Sequence, residues 1–342
     1  MFKNISPRIL AIETSCDETA ASVYSQKEGV LSSVLFSQIE MHRAFGGVVP
    51  ELASRAHIEK IDLIVQEALT TANKTLDDID IVAVTNKPGL PGSLLIGTCF
   101  AKAIAGTLNK KFIGINHLEG HAFSACIENN IPFPFLCLTA SGGHTSLYYV
   151  TDFGNYTTIG TTLDDAAGEA FDKISKLLEL GYPGGPIIEK RAATMNFQDF
   201  FNYPRSKIKT LDMSFSGLKT AVLYDLVGRG AYDLKEKKLL DTNDELKNKV
   251  ASSFLVCVGD IFVNKIKQAL LEYPDSKAIA FVGGVACNKY LRQVLTDFCT
   301  KQSLTLFYPA PKYCTDNAAM IAFVAGYKAQ QNKFDDLSLD IL

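Results

Sequence analysis

Short apolar runs rich in β-branched residues alternate along the chain with longer stretches of helical periodicity. Arg8 to Ser15 is apolar and typical of a strand, Asp17-Glu18 interrupts the pattern, and Thr19 to Ser25 resumes it as a second strand. From Pro50 to about Asn73 the apolar residues recur at helical spacing. The face of this helix that is predicted to be buried comprises Ile58, Ile61, Val65, Ala68 and Leu69. The alternation predicts an α/β fold.

The strand–turn–strand pattern of residues 8–25 recurs near residue 133. Phe133 to Ala140 is an apolar strand, Ser141-Gly142-Gly143-His144 is a polar turn, and Thr145 to Val150 returns as a strand. The two segments differ in residue identity, but the shared pattern predicts two related lobes with a boundary near residue 130.

The remaining elements are predicted from periodicity and capping signals. Helices are expected at about 164–180, 186–195, 244–272, 288–301 and 315–329, and strands at 278–283 and 304–308, with residues 196–240 less regular. In the first lobe, Ser93 is expected to cap a helix on which Gly97, Ala101 and Ala105 form a stripe of small residues. Such a stripe fits either a contact with a partner subunit or packing within the lobe.

Length and composition narrow the class of protein. The 342 residues suggest roughly two domains. The composition, with 47% apolar and 21% charged residues, predicts a soluble protein with a packed interior. The net charge of −3 argues against a protein that coats nucleic acid. Residues 205–238 nevertheless carry eight basic and four acidic side chains, a local charge of +4. The basic residues are Arg205, Lys207, Lys209, Lys219, Arg229, Lys235, Lys237 and Lys238.

The spacing of the cysteines and the hydropathy of the chain indicate the cellular compartment in which the protein is expected. The eight cysteines lie singly, with no C-x-x-C pair, which is typical of reduced thiols in an intracellular protein. No apolar run approaches the roughly 18 residues of a membrane span. We therefore expect a cytoplasmic protein that does not interact with membranes.

The sharpest candidate for chemistry is Asn116-His117-Leu118-Glu119-Gly120-His121. Residues four apart share one face of a helix, so the imidazoles of His117 and His121 can reach one ion. Glu119 is misplaced for the H-E-x-x-H motif of a zinc protease. Asp316, in a polar segment before the last helix, is a candidate third ligand; its alternative role is to cap that helix. Two histidines and one carboxylate suit iron or zinc, whereas a histidine pair by itself fits a surface or core pair equally well.

Polar and glycine-rich turns are candidate nucleotide contacts. The turns at 13–19 and 141–145 can form anion-binding nests, although each is also an ordinary hairpin turn. Gly283-Gly284 follows a predicted strand at the position where α/β proteins bind nucleotides. Asp172 falls off the buried stripe of its helix, available to a ribose hydroxyl or to solvent. Cys16 has no histidine near it in sequence and is interpreted as a packing residue, and neither a dinucleotide-binding G-x-G-x-x-G nor a P-loop is present.

Taken together, seven motifs resemble the TsaD (Gcp) family of tRNA adenosine threonylcarbamoyltransferases. The resemblance follows the order of the chain through almost its whole length. The motifs are Ile12 to Thr19, Asn116 to His121, Ser141 to Thr145, Asp164 to Lys173, Tyr182 to Pro186, Gly283 to Asn288 and Thr315 to Ile321.

The resemblance implies an actin/Hsp70/sugar-kinase type fold with a nucleotide cleft between two lobes. We expect an N-terminal lobe at 1–132, a C-terminal lobe at 133–317, and a C-terminal helix at about 318–342 that packs back on the first lobe. The resemblance implies one divalent metal, most often Fe²⁺ with Zn²⁺ and Mg²⁺ as alternatives, held by His117, His121 and Asp316. It implies substrate contacts at Thr139, Ala140, Ser141, Gly142, Gly143, Asp172, Gly185, Glu189 and Asn288. Thr139-Ala140 departs from the apolar residues usual in the family, so backbone contacts are expected there.

The implied reaction is transfer of the threonylcarbamoyl group from threonylcarbamoyl-AMP to N6 of adenosine 37, with release of AMP. The tRNAs concerned read codons that begin with A. Asp17 and Glu18 are candidates for a base or a water-positioning acid. The expected partners are tRNA, a separate synthase of the adenylate, a paralogous TsaB-like subunit and a TsaE-like ATPase. The basic side chains of residues 205–238 are the expected local binding site for tRNA phosphates.

Three other functions remain open at this point. A small-molecule kinase or ATPase of the same fold would use the cleft without needing the histidine pair. A metallopeptidase would require a glutamate placed differently. A non-catalytic partner subunit of the family would lack the metal histidines, which are present at positions 117 and 121.

Overall fold

The computed structural model describes residues 6–205 and 208–341, so Lys207 of the predicted basic segment lies outside the described residues. The chain divides into two units. Unit 1 comprises Met1–Asn130 and Pro309–Leu342, and unit 2 comprises Ile131–Tyr308. Residues 309–317, which the sequence analysis assigned to the C-terminal lobe, therefore belong to unit 1.

Strands form the centre of both units. In chain order they are β1 Arg8–Glu13, β2 Glu18–Ser25, β3 Gly29–Ser37, β4 Ile81–Lys87, β5 Lys111–Asn116, β6 Phe135–Ala140, β7 Thr145–Asp152, β8 Asn155–Thr161, β9 Tyr232–Asp233, β10 Lys238–Leu239, β11 Ala278–Val282 and β12 Thr305–Phe307.

Helices account for most of the remaining regular structure. They are α1 Ile39–Arg43, α2 Pro50–Thr71, α3 Pro91–Thr107, α4 His117–Ser124, α5 Ala167–Leu177, α6 Gly184–Ala193, α7 Ser216–Gly228, α8 Asp244–Glu272, α9 Lys289–Lys301 and α10 Ala318–Gln330. Single 3₁₀ turns lie at Leu76–Asp78, Ala125–Ile127, Gly284–Cys287 and Pro311–Tyr313. No helix within residues 6–205 and 208–341 combines the length and apolar character that a membrane span needs.

The two units have the same sheet topology. In unit 1 the strand order is β3-β2-β1-β4-β5, with β1 antiparallel to β2 and parallel to β4. In unit 2 the order β8-β7-β6-β11-β12 repeats this arrangement, with β6 antiparallel to β7 and parallel to β11. The first hairpin of each unit therefore supplies the central strand of its sheet. The predicted α/β fold with two lobes of related topology is confirmed.

The core of unit 1 lies between its sheet and the helices α2 and α3. Ile61, Val65 and Ala68 of α2 pack into it, as predicted, but Ile58 is 65% exposed and was wrongly assigned to the buried face. Helix α3 begins at Pro91, so Ser93 lies inside its first turn and does not cap it. The stripe of small residues on α3 packs within the unit, with Gly97 against Thr14 and two alanines in the core.

The C-terminal segment is helical over a shorter stretch than predicted. Helix α10 ends at Gln330 because Asn332 adopts the left-handed conformation, with φ of 54°. The chain beyond it returns to β5, where the amide of Asp335 donates to the carbonyl of Phe112 at 2.9 Å. Leu339 then packs against the core of unit 1. The prediction of a helix to residue 342 is therefore wrong in its last part.

Two boundaries in unit 2 also differ from the prediction. Helix α5 begins at Ala167, three residues later than expected, since the carboxylate of Asp164 accepts hydrogen bonds from Ser214, Phe215 and Ser216. Those bonds fix the start of α7, which was missed in the segment expected to be irregular. Its apolar residues are distributed without a clear amphipathic pattern, so periodicity gave no signal.

Candidate functional site

Two histidines of unit 1 lie on consecutive turns of one short helix. Strand β5 ends at Asn116, whose side chain accepts a hydrogen bond from the amide of Leu118 at 2.8 Å and so begins α4. This places His117 at the first position of the helix and His121 one turn later. Both imidazoles are buried, and their ring centroids are 4.6 Å apart.

A carboxylate from the far end of the chain faces both rings. Asp316 precedes α10, and its Oδ1 lies 2.9 Å from Nε2 of His121 and 3.4 Å from Nε2 of His117. One ligand atom from each of the three residues falls within 4.8 Å of the others. The structure thus brings together the three residues that the sequence analysis singled out as metal ligands.

The other nitrogen of His117 contacts residues that sequence reasoning missed. Nδ1 lies 3.2 Å from Oε2 of Glu13 and 3.1 Å from Oγ of Ser15. Glu13 ends β1 and is fully buried. An acidic residue at the end of a strongly apolar strand was a usable signal, since a buried carboxylate requires a partner. Its partner is 104 positions away in the chain, so sequence alone did not identify it.

The charges of this cluster depend on one another. Burial alone would lower the pKa of His117, but the carboxylates of Asp316 and Glu13 raise it well above its ordinary value. Burial alone would raise the pKa of Asp316, yet the two histidines hold it well below its usual range. The pKa of Glu13 is likewise lowered by His117 against the effect of burial. The cluster therefore pairs ionised carboxylates with positive charge, which a cation can supply.

The donor set fits a divalent transition metal. Two imidazole nitrogens and one carboxylate oxygen are ligands that iron and zinc accept with positions left open. Since Nδ1 of His117 contacts Glu13, the nitrogen that faces the other two residues of the set is Nε2. Glu119, between the two histidines, instead pairs with Lys328 at 3.2 Å, so it lies outside the set.

Asp17 lies in the turn that joins β1 to β2, and Glu18 is the first residue of β2. Asp17 is 8% exposed, and Oε1 of Glu18 accepts a hydrogen bond from Oγ of Ser37 at 3.2 Å. Burial and the neighbouring charge of Asp17 raise the pKa of Glu18 well above its ordinary value. Burial similarly raises the pKa of the Cys16 thiol, which disfavours the nucleophilic thiolate and agrees with its interpretation as a packing residue.

In unit 2, the predicted contacts at 139–143 lie at the end of the central strand. Thr139 and Ala140 are buried in β6, whereas Gly142 and Gly143 are exposed in the hairpin turn with open space around them. A side chain at Gly168 would meet the carbonyl of Ser141, and one at Gly283 would meet that of Ala140. The β6–β7 turn, the start of α5 and the end of β11 therefore meet within unit 2.

The remaining predicted contacts join three helices of unit 2. Oδ1 of Asp172 on α5 accepts the amide of Gly184 at 2.6 Å, which connects α5 to the start of α6, where Gly185 faces open space. Glu189 on α6 accepts the amide of Lys289 at 2.6 Å, and Asn288 caps α9 by accepting the amide of Leu291. These polar side chains position helix ends within the unit.

The predicted basic segment retains less unbalanced charge than its composition indicates. Arg205 pairs with Asp199 and Asp260 at 2.7 and 2.6 Å, and Arg229 pairs with Asp225 at 2.9 Å. Lysines 235, 237 and 238 are exposed on the β9–β10 hairpin. Lys209 is exposed as well, so within the described residues the hairpin carries most, but not all, of the positive charge that the segment presents to solvent.

A family model and full-length relatives of this chain carry the same family name. The family model described as TsaD, tRNA N6-adenosine threonylcarbamoyltransferase, matches residues 29–323. A protein of that name from Rickettsia massiliae is 44% identical over 334 residues, covering 95% of this chain and 94% of its own. A second, from Syntrophotalea carbinolica, is 46% identical over 320 residues and covers 93% and 90%.

Solved structures with much lower identity share the fold. Full-length HypF in its phosphate- and nucleotide-bound form aligns with a TM-score of 0.63 at 12% identity, covering 98% of this chain and 48% of that chain. Component A of the (R)-2-hydroxyglutaryl-CoA dehydratase of Acidaminococcus fermentans aligns with a TM-score of 0.52 at 13% identity, covering 96% and 100%. At these identities the likeness concerns the fold alone.

Proposed function

The chain belongs to the TsaD family of tRNA N6-adenosine threonylcarbamoyltransferases, and we propose that it uses threonylcarbamoyl-AMP as the donor. The acceptor is N6 of adenosine 37 in tRNAs that read codons beginning with A. The observation that carries the proposal is the convergence of His117, His121 and Asp316 on one point in unit 1. A kinase or a metallopeptidase does not account for this set together with the family assignment.

The three converging residues would hold one divalent metal, with Fe²⁺ preferred. Two of the three donors are imidazole nitrogens, which favours Fe²⁺ or Zn²⁺ over Mg²⁺, because Mg²⁺ prefers oxygen ligands. When bound, the metal supplies Lewis-acid polarisation of the donor's carbamoyl carbonyl. His117, His121 and Asp316 would hold this metal through two imidazole nitrogens and one carboxylate oxygen.

The transfer forms one bond and breaks another. The lone pair of N6 attacks the carbamoyl carbon, and the bond from that carbon to the phosphate oxygen breaks, so that AMP leaves with the electron pair. The proton lost from N6 goes to a carboxylate or to water. Asp17 in the β1–β2 turn and Glu18 at the start of β2 are the candidates for the base and for positioning the water.

Residues of unit 2 bind the adenylate part of the donor. The exposed Gly142 and Gly143 have no side chain to exclude a phosphate group, and their amides offer donors to it. The other contacts, inferred from the family resemblance, are Thr139, Ala140, Ser141, Asp172, Gly185, Glu189 and Asn288. Asp172 and Glu189 already accept backbone amides, which fixes their carboxylates for further contacts.

The protein acts in the cytoplasm with other proteins of the same modification system. A synthase supplies threonylcarbamoyl-AMP, and a TsaB-like subunit and a TsaE-like ATPase assist turnover. The lysines of the β9–β10 hairpin contribute phosphate contacts to tRNA.

The experiment is an assay with all components present. The protein is incubated with tRNA, ATP, threonine, bicarbonate and the partner proteins, and the tRNA is digested for mass spectrometry of its nucleosides. N6-threonylcarbamoyladenosine should form with the wild type and with Glu119→Gln, and be reduced at least about 100-fold with His117→Ala. Unmodified tRNA in the wild-type reaction would refute the transfer, and a wild-type rate for His117→Ala would refute the metal.

A further inference from the structure

The carboxylate of Glu13 is held in place from three directions. Oε1 accepts the amide of Ser15 at 2.5 Å, and Oε2 accepts the hydroxyl of Thr85 and lies 3.2 Å from Nδ1 of His117. The residue is fully buried at the end of the central strand β1. A buried carboxylate with this many contacts has a fixed orientation, because each lost contact would leave a charge unsatisfied.

Glu13 is not one of the three converging ligands. His117 presents Nε2 to Asp316 and Nδ1 to Glu13, on opposite sides of the same ring. An ionised carboxylate can only accept a hydrogen bond, so Nδ1 must carry the proton in this contact. With its proton held on Nδ1, the ring binds a metal through Nε2, which gives up its own proton when the metal is bound.

We propose that Glu13 is a positioning residue, which fixes the tautomer and the ring orientation of His117 so that Nε2 is available to the metal. The inference rests on the metal site of the proposed function and adds to it a residue that does not touch the metal. Among residues 6–205 and 208–341, Nδ1 of His121 has no hydrogen-bond partner. The orienting contact therefore belongs to His117, and its loss should weaken the site as a whole.

The substitution Glu13→Gln gives a specific result. The amide of Ser15 is a backbone donor that cannot rotate, so the glutamine oxygen should face it, whereas the Thr85 hydroxyl can turn to accept. The glutamine NH₂ then faces Nδ1 of His117 and donates to it. The imidazole is driven to the tautomer with a proton on Nε2, which opposes metal binding.

The test measures Zn²⁺ affinity by competition with a chromophoric chelator. We expect Glu13→Gln to bind Zn²⁺ about 10–100-fold more weakly than the wild type. Glu119→Gln is the matched control, since it removes another buried carboxylate from α4 and should bind within about 2-fold of the wild type. The ¹⁵N chemical shifts of the His117 ring in the Zn²⁺-loaded proteins give a second readout. In the wild type they should be those of a ring protonated at Nδ1 and bound to zinc through Nε2, and Glu13→Gln should lose these shifts.

A second variant separates position from charge. Glu13→Asp keeps the negative charge but shortens the side chain by one methylene, so its carboxylate withdraws from Nδ1 of His117. A weakened affinity in this variant supports positioning, and wild-type affinity in Glu13→Asp or in Glu13→Gln overturns it. A wild-type protein that binds no Zn²⁺ or Fe²⁺ would instead refute the metal of the proposed function, and the positioning role with it. Thermal unfolding of the metal-free variants shows whether they are folded when the affinity is measured.

Discussion

Oδ1 of Asp316 lies 2.9 Å from Nε2 of His121, although 195 positions separate the two residues in the chain. The same oxygen lies 3.4 Å from Nε2 of His117. One carboxylate therefore faces both imidazoles. Its replacement by a neutral group should disturb both histidines at once, while the caps of α4 and α10 remain intact.

Asp316→Asn should reduce metal affinity at least about 100-fold, because the amide keeps the shape of the side chain but is a weak ligand. Equilibrium binding of Zn²⁺ or Fe²⁺ measures this, and modified nucleoside in the complete tRNA assay should fall in parallel. Asp62→Asn, on the exposed face of α2, is the control and should change neither quantity. Unchanged metal affinity in Asp316→Asn would contradict the ligand set.

Gly283→Ala should destabilise the protein by roughly 2–4 kcal/mol. Gly283 has φ of +91°, and an added Cβ would lie 2.4 Å from the carbonyl oxygen of Ala140. The backbone strain and the close contact both oppose the folded state. Urea unfolding gives the free energy of unfolding. The control is Gly217→Ala, which has open space in the first turn of α7 and should unfold at the same urea concentration as the wild type or at a slightly higher one. Equal stability of the two variants would count against this account.

His57 should make stability depend on pH. Burial lowers the pKa of His57 from its ordinary value of 6.5, although Glu13 and Asp17 act in the opposite direction. Its Nδ1 accepts the hydroxyl of Thr19, which favours the neutral ring, whereas donation from Nε2 to the carbonyl of Cys16 favours the protonated ring; burial outweighs the bond to Cys16.

The sign of the effect follows from proton binding. As the pH falls through about 6.5, the unfolded chain takes up a proton at His57 before the folded protein does, so the free energy of unfolding decreases. The contribution is complete above that pH and is lost below it. Urea unfolding at pH 7.5 and 5.5 measures this. The free energy of unfolding of the wild type should exceed that of His57→Gln by a larger margin at pH 7.5 than at pH 5.5. A difference that stays constant would show that the folded protein accepts the proton as readily as the unfolded chain.

Replacing the lysines of the β9–β10 hairpin by alanine should weaken tRNA binding. Each lost phosphate contact should reduce the slope of log affinity against log salt by about 0.7, or roughly 2 for three contacts. Fluorescence anisotropy with labelled tRNA at several salt concentrations measures this. The substituted residues are Lys235, Lys237 and Lys238. A control replaces three other exposed lysines, Lys27, Lys301 and Lys333. If both triple variants lose affinity and slope equally, the hairpin is not a preferred contact.

The sequence was most informative where local pattern and function coincide. The polar turns at 13–19 and 141–145 follow strongly apolar strands, and both proved to join the first hairpin of a sheet. The spacing of His117 and His121 was sufficient to put them on one face of a helix. These features depend on neighbouring residues, so periodicity and spacing predicted them.

Features that depend on distant contacts were not predictable in the same way. The late start of α5 and the presence of α7 both follow from Asp164 bonding to residues about 50 positions later. The exposed Ile58 fits the helical period as well as its buried neighbours do. The partner of the buried acid Glu13 is identified only when the position of His117 is known.

The two-part composition of unit 1 has a consequence for biosynthesis. Unit 2 is a continuous insertion at Ile131–Tyr308, so it can be completed on the ribosome while unit 1 still lacks its final segment. At about 5–20 residues per second, Asp316 is synthesised about 10–40 seconds after His121. A nascent chain therefore carries His117 and His121 before Asp316 exists, and the three-residue cluster can form only after translation is nearly finished.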